Sequence, residues 1–529
     1  MRKLYITLLI SLIIGIVSAQ NSPAGEGLNE KNSAQDITGQ WHGLLEIPGN
    51  PLRLKLEIDA SDSGYTATLY SPDQHDSGIP VNTTTLEGDT LSIAVIALNL
   101  TYTGGLANNR IKGTFNQSGF TLPLEFSRQA IEKPKANRPQ EPKEPFPYHS
   151  EEVVFRNSRF KKTITEASKT NNTNTEAPKI NKTNTEVPKT DEETSNSGSP
   201  NGPSETQTNI TLAGTLTMPE KEGKYPVAIL ISGSGPQDRN ESLAGHKPFL
   251  VISDYLTRNG IAVLRFDDRG VGESTGNFDE ATSADFATDV QSAIDFLKTH
   301  KNIDHDNIGL IGHSEGGMIA PMVAAENADI GFIVLMAGVG IPGDELLSLQ
   351  GQLIQTAAGN SENDVEQSAK IRSRMIQMTM ASKDMSTLRQ DLTDYLRKEA
   401  ENESSRALVP EGIEVDQFIK SQVDFMATPW MVYFLRFDPA EYLEKVSCPV
   451  LAINGTKDLQ VPDQENLSAI GRALEKAANK NVTLKPLEGL NHLFQESETG
   501  LPTEYSVIEQ TFAPEALEII SNWISEQVE

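Results

Sequence analysis

Two rhythms of apolar and polar residues divide this chain. From residue 36 to about 128 the two kinds alternate, as in Trp41-His42-Gly43-Leu44-Leu45-Glu46-Ile47, Leu52-Arg53-Leu54-Lys55-Leu56-Glu57-Ile58 and Tyr65-Thr66-Ala67-Thr68-Leu69-Tyr70. A period of two turns one side of an extended segment toward a core and the other toward water, so these runs predict half-buried strands. Similar runs follow at Thr90 to Leu100, Arg110 to Phe115 and Leu122 to Phe126. Pro48-Gly49-Asn50, Glu87-Gly88-Asp89 and Thr103-Gly104-Gly105 read as turns between them. Short strands at this spacing argue a small all-β barrel or sandwich. No acid–base constellation stands out there, and residues 36–128 are expected to form an accessory domain.

From Tyr225 onward the apolar runs become continuous. Val227 to Ile231, Ile261 to Phe266, Ile308 to Gly312, Phe332 to Met336, Val450 to Asn454 and Val482 to Leu487 read as strands. Helical periodicity falls between or after them at Phe286 to Lys298, Leu467 to Ala478 and Ala516 to Trp523. Strands apolar on both sides and separated by helices predict a mostly parallel sheet covered on both faces. Residues 343–440 break the rhythm: they are helical without a strand, which predicts a cap inserted after a sheet strand.

Two segments lie between these regions. Residues 129–149 carry Pro134, Pro139, Pro142, Pro145 and Pro147 and are expected to form a polyproline-type spacer. Then Thr163 to Lys169, Thr173 to Lys179 and Thr183 to Lys189 repeat one motif every ten residues. These units hold too few apolar side chains to stack a core, so the insert at 159–208 is expected to be disordered. It interrupts a prospective hairpin between the strand around Val153 and the strand Thr211 to Met218. Such an insertion costs little, because loop-closure entropy grows slowly with length.

The first residues change the picture of compartment. Arg2 and Lys3 precede an apolar run from Leu4 to Val17, and Val17-Ser18-Ala19 presents small residues before Gln20. Residues 1–19 are expected to be a secretory signal peptide, with the mature chain in a periplasm or outside the cell. The apolar run is short for a membrane span, which needs about 20 residues. Cys448 is the single cysteine of the 529 residues, so no internal disulfide can form and the domains must rest on ordinary cores. A formal charge of -28 disfavours phosphate backbones, and no nucleic-acid partner is expected.

Candidate chemistry concentrates at three loops. Gly312-His313-Ser314-Glu315-Gly316 matches G-x-S-x-G between a strand and a helix, a tight turn that lifts a serine hydroxyl above a sheet edge. A serine is a weak nucleophile at neutral pH and needs a base. Of the eight histidines only His492 follows Ser314, in the loop Glu488-Gly489-Leu490-Asn491-His492 beyond a strand. Asp458, just past the strand Val450 to Ile453, is the expected acid; Asp463 is expected instead to cap a helix beginning near Gln464. The oxyanion would take the backbone N–H of Glu315 and one from Ser232-Gly233-Ser234-Gly235-Pro236, Ser234 preferred and Gly235 the alternative. The carboxylate of Glu315 is expected to turn away from that oxyanion. Asp267 to Ser274 lacks the Lys-Ser/Thr ending of a phosphate loop and reads as a structural turn. No cluster has metal-ligand spacing, so neither metal nor cofactor is expected.

Together Gly233 to Arg239, Asp268 to Ser274, Gly312 to Gly317 and the Asp458 and His492 loops resemble α/β-hydrolases of the serine aminopeptidase-like and cinnamoyl-esterase-like group. The resemblance covers residues 150–529, and the part before it looks like the β-rich domain that precedes some bacterial members. It implies hydrolysis of small or aryl carboxylic esters through an acyl-enzyme, with the cap choosing the substrate. Met426, Trp430, Tyr433 and Phe434 are candidates for an acyl or aryl pocket and equally for cap core. An exopeptidase and a catalytically silent binding module remain as alternatives.

Overall fold

The computed structural model describes residues 36–46, 52–61, 64–72, 75–95, 100–117, 120–131, 137–159, 162–163, 205–206, 210–402, 405, 408–409 and 415–528. The expected signal peptide at residues 1–19 and residues 164–204 of the repeat lie outside the described residues.

The first sheet is wholly antiparallel. Its strands are β1 (Gly39–Leu45), β2 (Leu52–Ser61), β3 (Gly64–Ser71), β4 (His75–Pro80), β5 (Thr83–Glu87), β6 (Thr90–Val95), β7 (Leu100–Ala107), β8 (Arg110–Gln117) and β9 (Phe120–Ser127). They run in the order β4-β3-β2-β1-β9-β8-β7-β6-β5, and β3 comes back against β5, so the sheet curls on itself as a barrel does. Alternate residues fill its interior: Trp41, Leu56, Ile58, Tyr102, Ile111 and Phe126 are buried. The expected turn at Thr103-Gly104-Gly105 lies instead inside β7, with Gly104 paired to Gly113. A Cβ on Gly104 would stand 2.5 Å from the Tyr102 hydroxyl, so glycine here makes room for a buried ring and does not mark a turn.

The second sheet has the order β10-β13-β15-β14-β16-β17-β18-β19. Its strands are β10 (His149–Asn157), β13 (Ile210–Met218), β14 (Tyr225–Ile231), β15 (Ala262–Phe266), β16 (Ile303–His313), β17 (Phe332–Met336), β18 (Val450–Gly455) and β19 (Val482–Leu487). The two-residue strands β11 (Lys162–Thr163) and β12 (Glu205–Thr206) pair separately. β13 runs antiparallel to β10 and β15, and β14 to β19 are mutually parallel. This is the α/β-hydrolase sheet. The strands are continuously apolar because both faces are covered: Ala228 and Leu230 enter one core, Val227, Ile229 and Ile231 the other. β10 and β13 pair from His149↔Met218 to Asn157↔Ile210, so the repeat leaves from the tip of a hairpin.

Helices α1 (Pro248–Arg258), α2 (Ser283–Leu297) and α3 (Glu315–Glu326) connect the early strands. The cap follows β17 as α4 (Gly343–Ala357), α5 (Glu362–Ala381), α6 (Met385–Ala400), α7 (Val415–Met426) and α8 (Pro429–Leu435), and α9 (Ala440–Leu443) leads back to β18. The Ser361, Asp384 and Thr428 side chains each accept backbone N–H bonds at the starts of α5, α6 and α8. α10 (Asp463–Lys476) follows β18, and α11 (Pro514–Val528) ends the fold. Asp463 is the first residue of α10 and not its cap, because Pro462 takes that position with φ -61°.

The proline-rich segment is not a free spacer where it is described. The Arg138 guanidinium donates to the carbonyls of Gly245 (3.1 Å), Ala244 (3.3 Å), Ser506 (3.0 Å) and Ile508 (2.7 Å). Gln140 accepts from the amides of Thr511 (2.7 Å) and Phe512 (3.1 Å) and donates to Phe512 O (2.6 Å). Prolines hold this backbone extended without a ladder of its own, and the side chains between them make the attachment.

Candidate active site

The turn from β16 to α3 places Ser314 at φ 53° and ψ -112°, a left-handed backbone that costs a non-glycine residue about 1–3 kcal/mol. Packing enforces it. A Cβ on Gly312 would fall 2.0 Å from Gly316 O, and one on Gly316 would fall 2.0 Å from Ile231 O. The Ser314 amide donates to Met336 O at 2.9 Å, which ties the turn to the neighbouring strand.

Asp458 follows β18. Its Oδ1 accepts the Gln460 and Val461 amides at 2.8 and 2.9 Å, while Oδ2 faces His492 Nδ1 at 2.8 Å. A carboxylate only accepts, so this pairing puts the imidazole proton on Nδ1 and leaves the Nε2 lone pair free. Asp458 and His492 are buried, at 3% and 5% exposure, which keeps the pair from exchanging for water. The structure thus joins two of the three residues expected to cooperate, across 34 positions of chain.

The His492 loop reaches the Ser314 turn through a neighbour the sequence did not single out. His313, which precedes Ser314, bonds His492 O through Nε2 at 2.9 Å and Glu241 Oε1 through Nδ1 at 2.9 Å. The His313 and His492 rings lie 4.8 Å apart. Burial opposes charge on His313, but the Glu241 carboxylate and its hydrogen bond outweigh burial and raise the pKa. With an acceptor on each side, the protonated ring can donate from both nitrogens. Glu241 Oε1 also accepts the Gly233 amide at 2.7 Å, so one carboxylate fastens the loop after β14 to the turn and, through His313, to the His492 loop. Neither Glu241 nor the role of His313 had a local signal, since the pair is separated by 72 positions.

That same loop carries the proposed oxyanion donor. A Cβ on Gly233 would lie 3.3 Å from Ser314 Cβ, so the loop passes directly beside Ser314. The Gly233 amide is committed to Glu241, which leaves those of Ser234 and Gly235 as the candidates. Asp268 anchors the loop from below: it accepts the Ser232 hydroxyl at 2.8 Å and the Gln237 amide at 3.0 Å. The Glu315 amide belongs to the first turn of α3, where helix N–H groups lack partners within the helix.

The Glu315 carboxylate is buried and bonded, not released to solvent. Its Oε1 accepts the Ser283 hydroxyl at 2.6 Å and the Trp430 indole N–H at 2.7 Å. Burial raises its pKa, and hydrogen bonding to the carboxylate only partly counters the shift. Beneath the loop, Asp268, Asp289 and Glu315 line a cavity of about 20 Å³. Burial pushes Asp268 well above the usual carboxylate range, with Glu315 and Asp289 nearby adding to the effect. In the cap, Met426 and Phe434 are core residues at 2% and 8% exposure. Trp430 stacks on Phe434 at 5.2 Å and is the aromatic that reaches the residue beside Ser314.

Comparison with known proteins bears on this arrangement. Over 296 residues the chain is 27% identical to the esterase EstD of Thermotoga maritima, covering 56% of this chain and 61% of that protein, somewhat less than two thirds of its length. Among solved structures, Est1E from Butyrivibrio proteoclasticus with ferulic acid bound matches at 18% identity, covering 60% of this chain and 94% of its own, with a TM-score of 0.33. The Pyrococcus furiosus esterase Pf2001 matches at 17% identity, covering 60% and 88%, with a TM-score of 0.36. The profile of the X-Pro dipeptidyl-peptidase (S15) family matches residues 202–487, a span that takes in the Ser314 turn and Asp458 and exceeds half the chain. By that match the chain belongs to the X-Pro dipeptidyl-peptidase (S15) family.

Proposed function

We propose that the chain is an exported serine hydrolase that cleaves small or aryl carboxylic esters through an acyl-enzyme on Ser314. The 2.8 Å bond from His492 Nδ1 to Asp458 carries the reading, because it leaves Nε2 as a base in a loop tied to the residue before Ser314. His492 takes the Ser314 proton as the hydroxyl attacks the acyl carbon. Asp458 holds the ring and offsets its positive charge, while the Glu315 and Ser234 amides receive the oxyanion. The ring then returns the proton to the departing alcohol, and water, activated in the same way, releases the acid. The relative named an esterase supports an ester substrate.

The family's name favours a second reading, cleavage of an N-terminal dipeptide. That activity needs a group to hold a free amine. Glu315, the carboxylate beside the nucleophile, already accepts from Ser283 and Trp430, which weighs toward esters. The test compares kcat/KM on p-nitrophenyl butyrate with that on X-Pro nitroanilides. Preference for the anilides would overturn the ester reading. Labelling by a fluorophosphonate, lost in Ser314→Ala, tests the nucleophile itself. Export predicts a secreted form whose first residue is Gln20, readable by N-terminal sequencing.

A further inference from the structure

The stretch from Tyr505 to Ala513 forms no strand or helix, yet Tyr505, Thr511, Phe512 and Ala513 are buried. Irregular backbone held out of water still needs partners for its N–H and C=O groups. Two side chains from the segment before β10 supply several of them. The Arg138 guanidinium donates to Ser506 O at 3.0 Å and Ile508 O at 2.7 Å. Gln140 accepts the Thr511 and Phe512 amides at 2.7 and 3.1 Å and donates to Phe512 O at 2.6 Å. Held in this way, the stretch rests on both loops of the Asp458–His492 pair. At one end the Tyr505 hydroxyl accepts from the Gln460 side chain at 2.9 Å, and the Gln460 amide donates to Asp458 Oδ1 at 2.8 Å. At the other end the Phe512 ring stacks on Phe494, two residues past His492, with centroids 5.2 Å apart, and the Ala513 amide donates to Phe494 O at 2.8 Å. The buried His246 ring ties the two ends together, bonding Tyr505 O at 2.8 Å and the Thr511 hydroxyl at 3.0 Å.

We propose that Arg138 and Gln140 are positioning residues, a strap that holds the 505–513 stretch against the Asp458 and His492 loops and so keeps the acid and the base in place. The inference rests on the catalytic reading above. Both side chains act through the backbone they hold, and the two paths are distinct: Arg138 through Tyr505 and Gln460 to Asp458, Gln140 through Phe512 and Phe494 to the His492 loop. A base or its supporting acid displaced by part of an ångström slows proton transfer without much change in substrate binding. Activity of the hydrolase fold then depends on chain that precedes its first strand.

The experiment measures kcat and KM on p-nitrophenyl butyrate, together with the fluorophosphonate labelling rate, for the full chain and its variants. Arg138→Ala and Gln140→Ala should each lower kcat and the labelling rate by about threefold, with KM changed by less than about 1.5-fold. Gln140→Glu keeps an acceptor for the Thr511 and Phe512 amides and should retain most of the activity that Gln140→Ala loses. Tyr505→Phe should lower kcat on its own, and its double variant with Arg138→Ala should be no worse than the poorer single one, because both loosen the same hold on Gln460. Arg159→Ala is the control: that guanidinium bonds Asp295 of α2 at 2.9 and 2.6 Å, and its loss should leave kcat within about 1.5-fold. Should an alanine variant fail to fold, Arg138→Lys, which keeps the charge without the fork, and Tyr505→Phe carry the test, with kcat falling and KM steady. The proposal is overturned if the strap variants keep kcat within about 1.5-fold while the wild type hydrolyses the ester. A loss confined to KM, an equal loss in Arg159→Ala, or Arg138→Ala and Tyr505→Phe effects that multiply would overturn it as well. A wild type that labels but does not hydrolyse the ester overturns the ester reading, and the labelling rates then decide the strap. A wild type that does neither overturns the catalytic reading first, and the positioning role with it.

Discussion

The barrel and the hydrolase sheet use the same two-residue alternation to different ends. In the barrel one side of each strand is buried and the other meets water, and among its described residues Ser71 is the one buried polar side chain apart from the ring-bearing Trp41 and Tyr102. In the central strands of the hydrolase sheet both sides are buried, and many of the buried charged groups gather around the carboxyl ends of the strands: Glu241, Asp267, Arg269, His313, Glu315, Asp458 and His492, with Asp289 of α2 paired to Arg269. A sheet open to water on one face can leave its polar groups there. A sheet covered on both faces must pair the ones it keeps, and paired groups held out of water have the fixed geometry catalysis requires.

The contrast can be broken at several depths. Ser314→Ala should lower kcat by about 10⁴-fold or more and abolish fluorophosphonate labelling. Its thermal midpoint should stay near that of the wild type, since the strained turn remains. In the barrel, Trp41 is fully buried, donates to Ile37 O at 2.8 Å and lies under Arg128. Trp41→Ala should therefore cost that domain about 3–5 kcal/mol in a denaturant melt while hydrolase kcat changes less than twofold. A parallel fall in kcat would show that the two cores are one cooperative unit.

Glu241→Gln should lower kcat by roughly tenfold, because one charged anchor of the Gly233 loop and of His313 is lost. Its pH dependence has a definite sign. The folded pKa of His313 is raised, so the pair contributes stability that is full below the ordinary histidine value of about 6.5 and is lost as pH rises through the raised value. Urea melts from pH 5 to 9 should show the wild type ahead of Glu241→Gln at the acid end, with the gap closing upward. A gap that widens with pH would contradict the charged pair. The smallest effect is expected for Arg138→Ala, about 1 kcal/mol off the hydrolase transition, since the guanidinium is only partly buried although it meets four carbonyls. No change there would return the proline-rich segment to the status of a tether.

Much of this architecture could be read along the chain, for a definite reason. Val227 to Ile231 and Phe332 to Met336 are short apolar runs that only a doubly covered strand tolerates, and the observed strands include them. Helix ends were less legible. Asp463 has the side chain of a cap, yet Pro462 stands in that place. Thr103-Gly104-Gly105 has the composition of a turn, yet a neighbouring ring required the glycine in mid-strand. Propensity is read residue by residue, and here the residue just before Asp463 and the buried ring two positions before Gly104 overrode it.

Sequence alone singled out the candidate residues by a local signature and a chain order: Ser314 between its glycines, then Asp458 and His492 each just beyond a strand, of which the structure joins Asp458 to His492. Chain order was informative because each of the three follows a strand's carboxyl end. Tertiary structure decided what fastens them. Glu241 meets His313 across 72 positions, Trp430 meets Glu315 across 115, and Arg138 meets Ile508 across 370. A hydrogen bond is specified by a distance in space, and two residues that far apart along the chain leave no mark of it until the backbone has brought them within 3 Å.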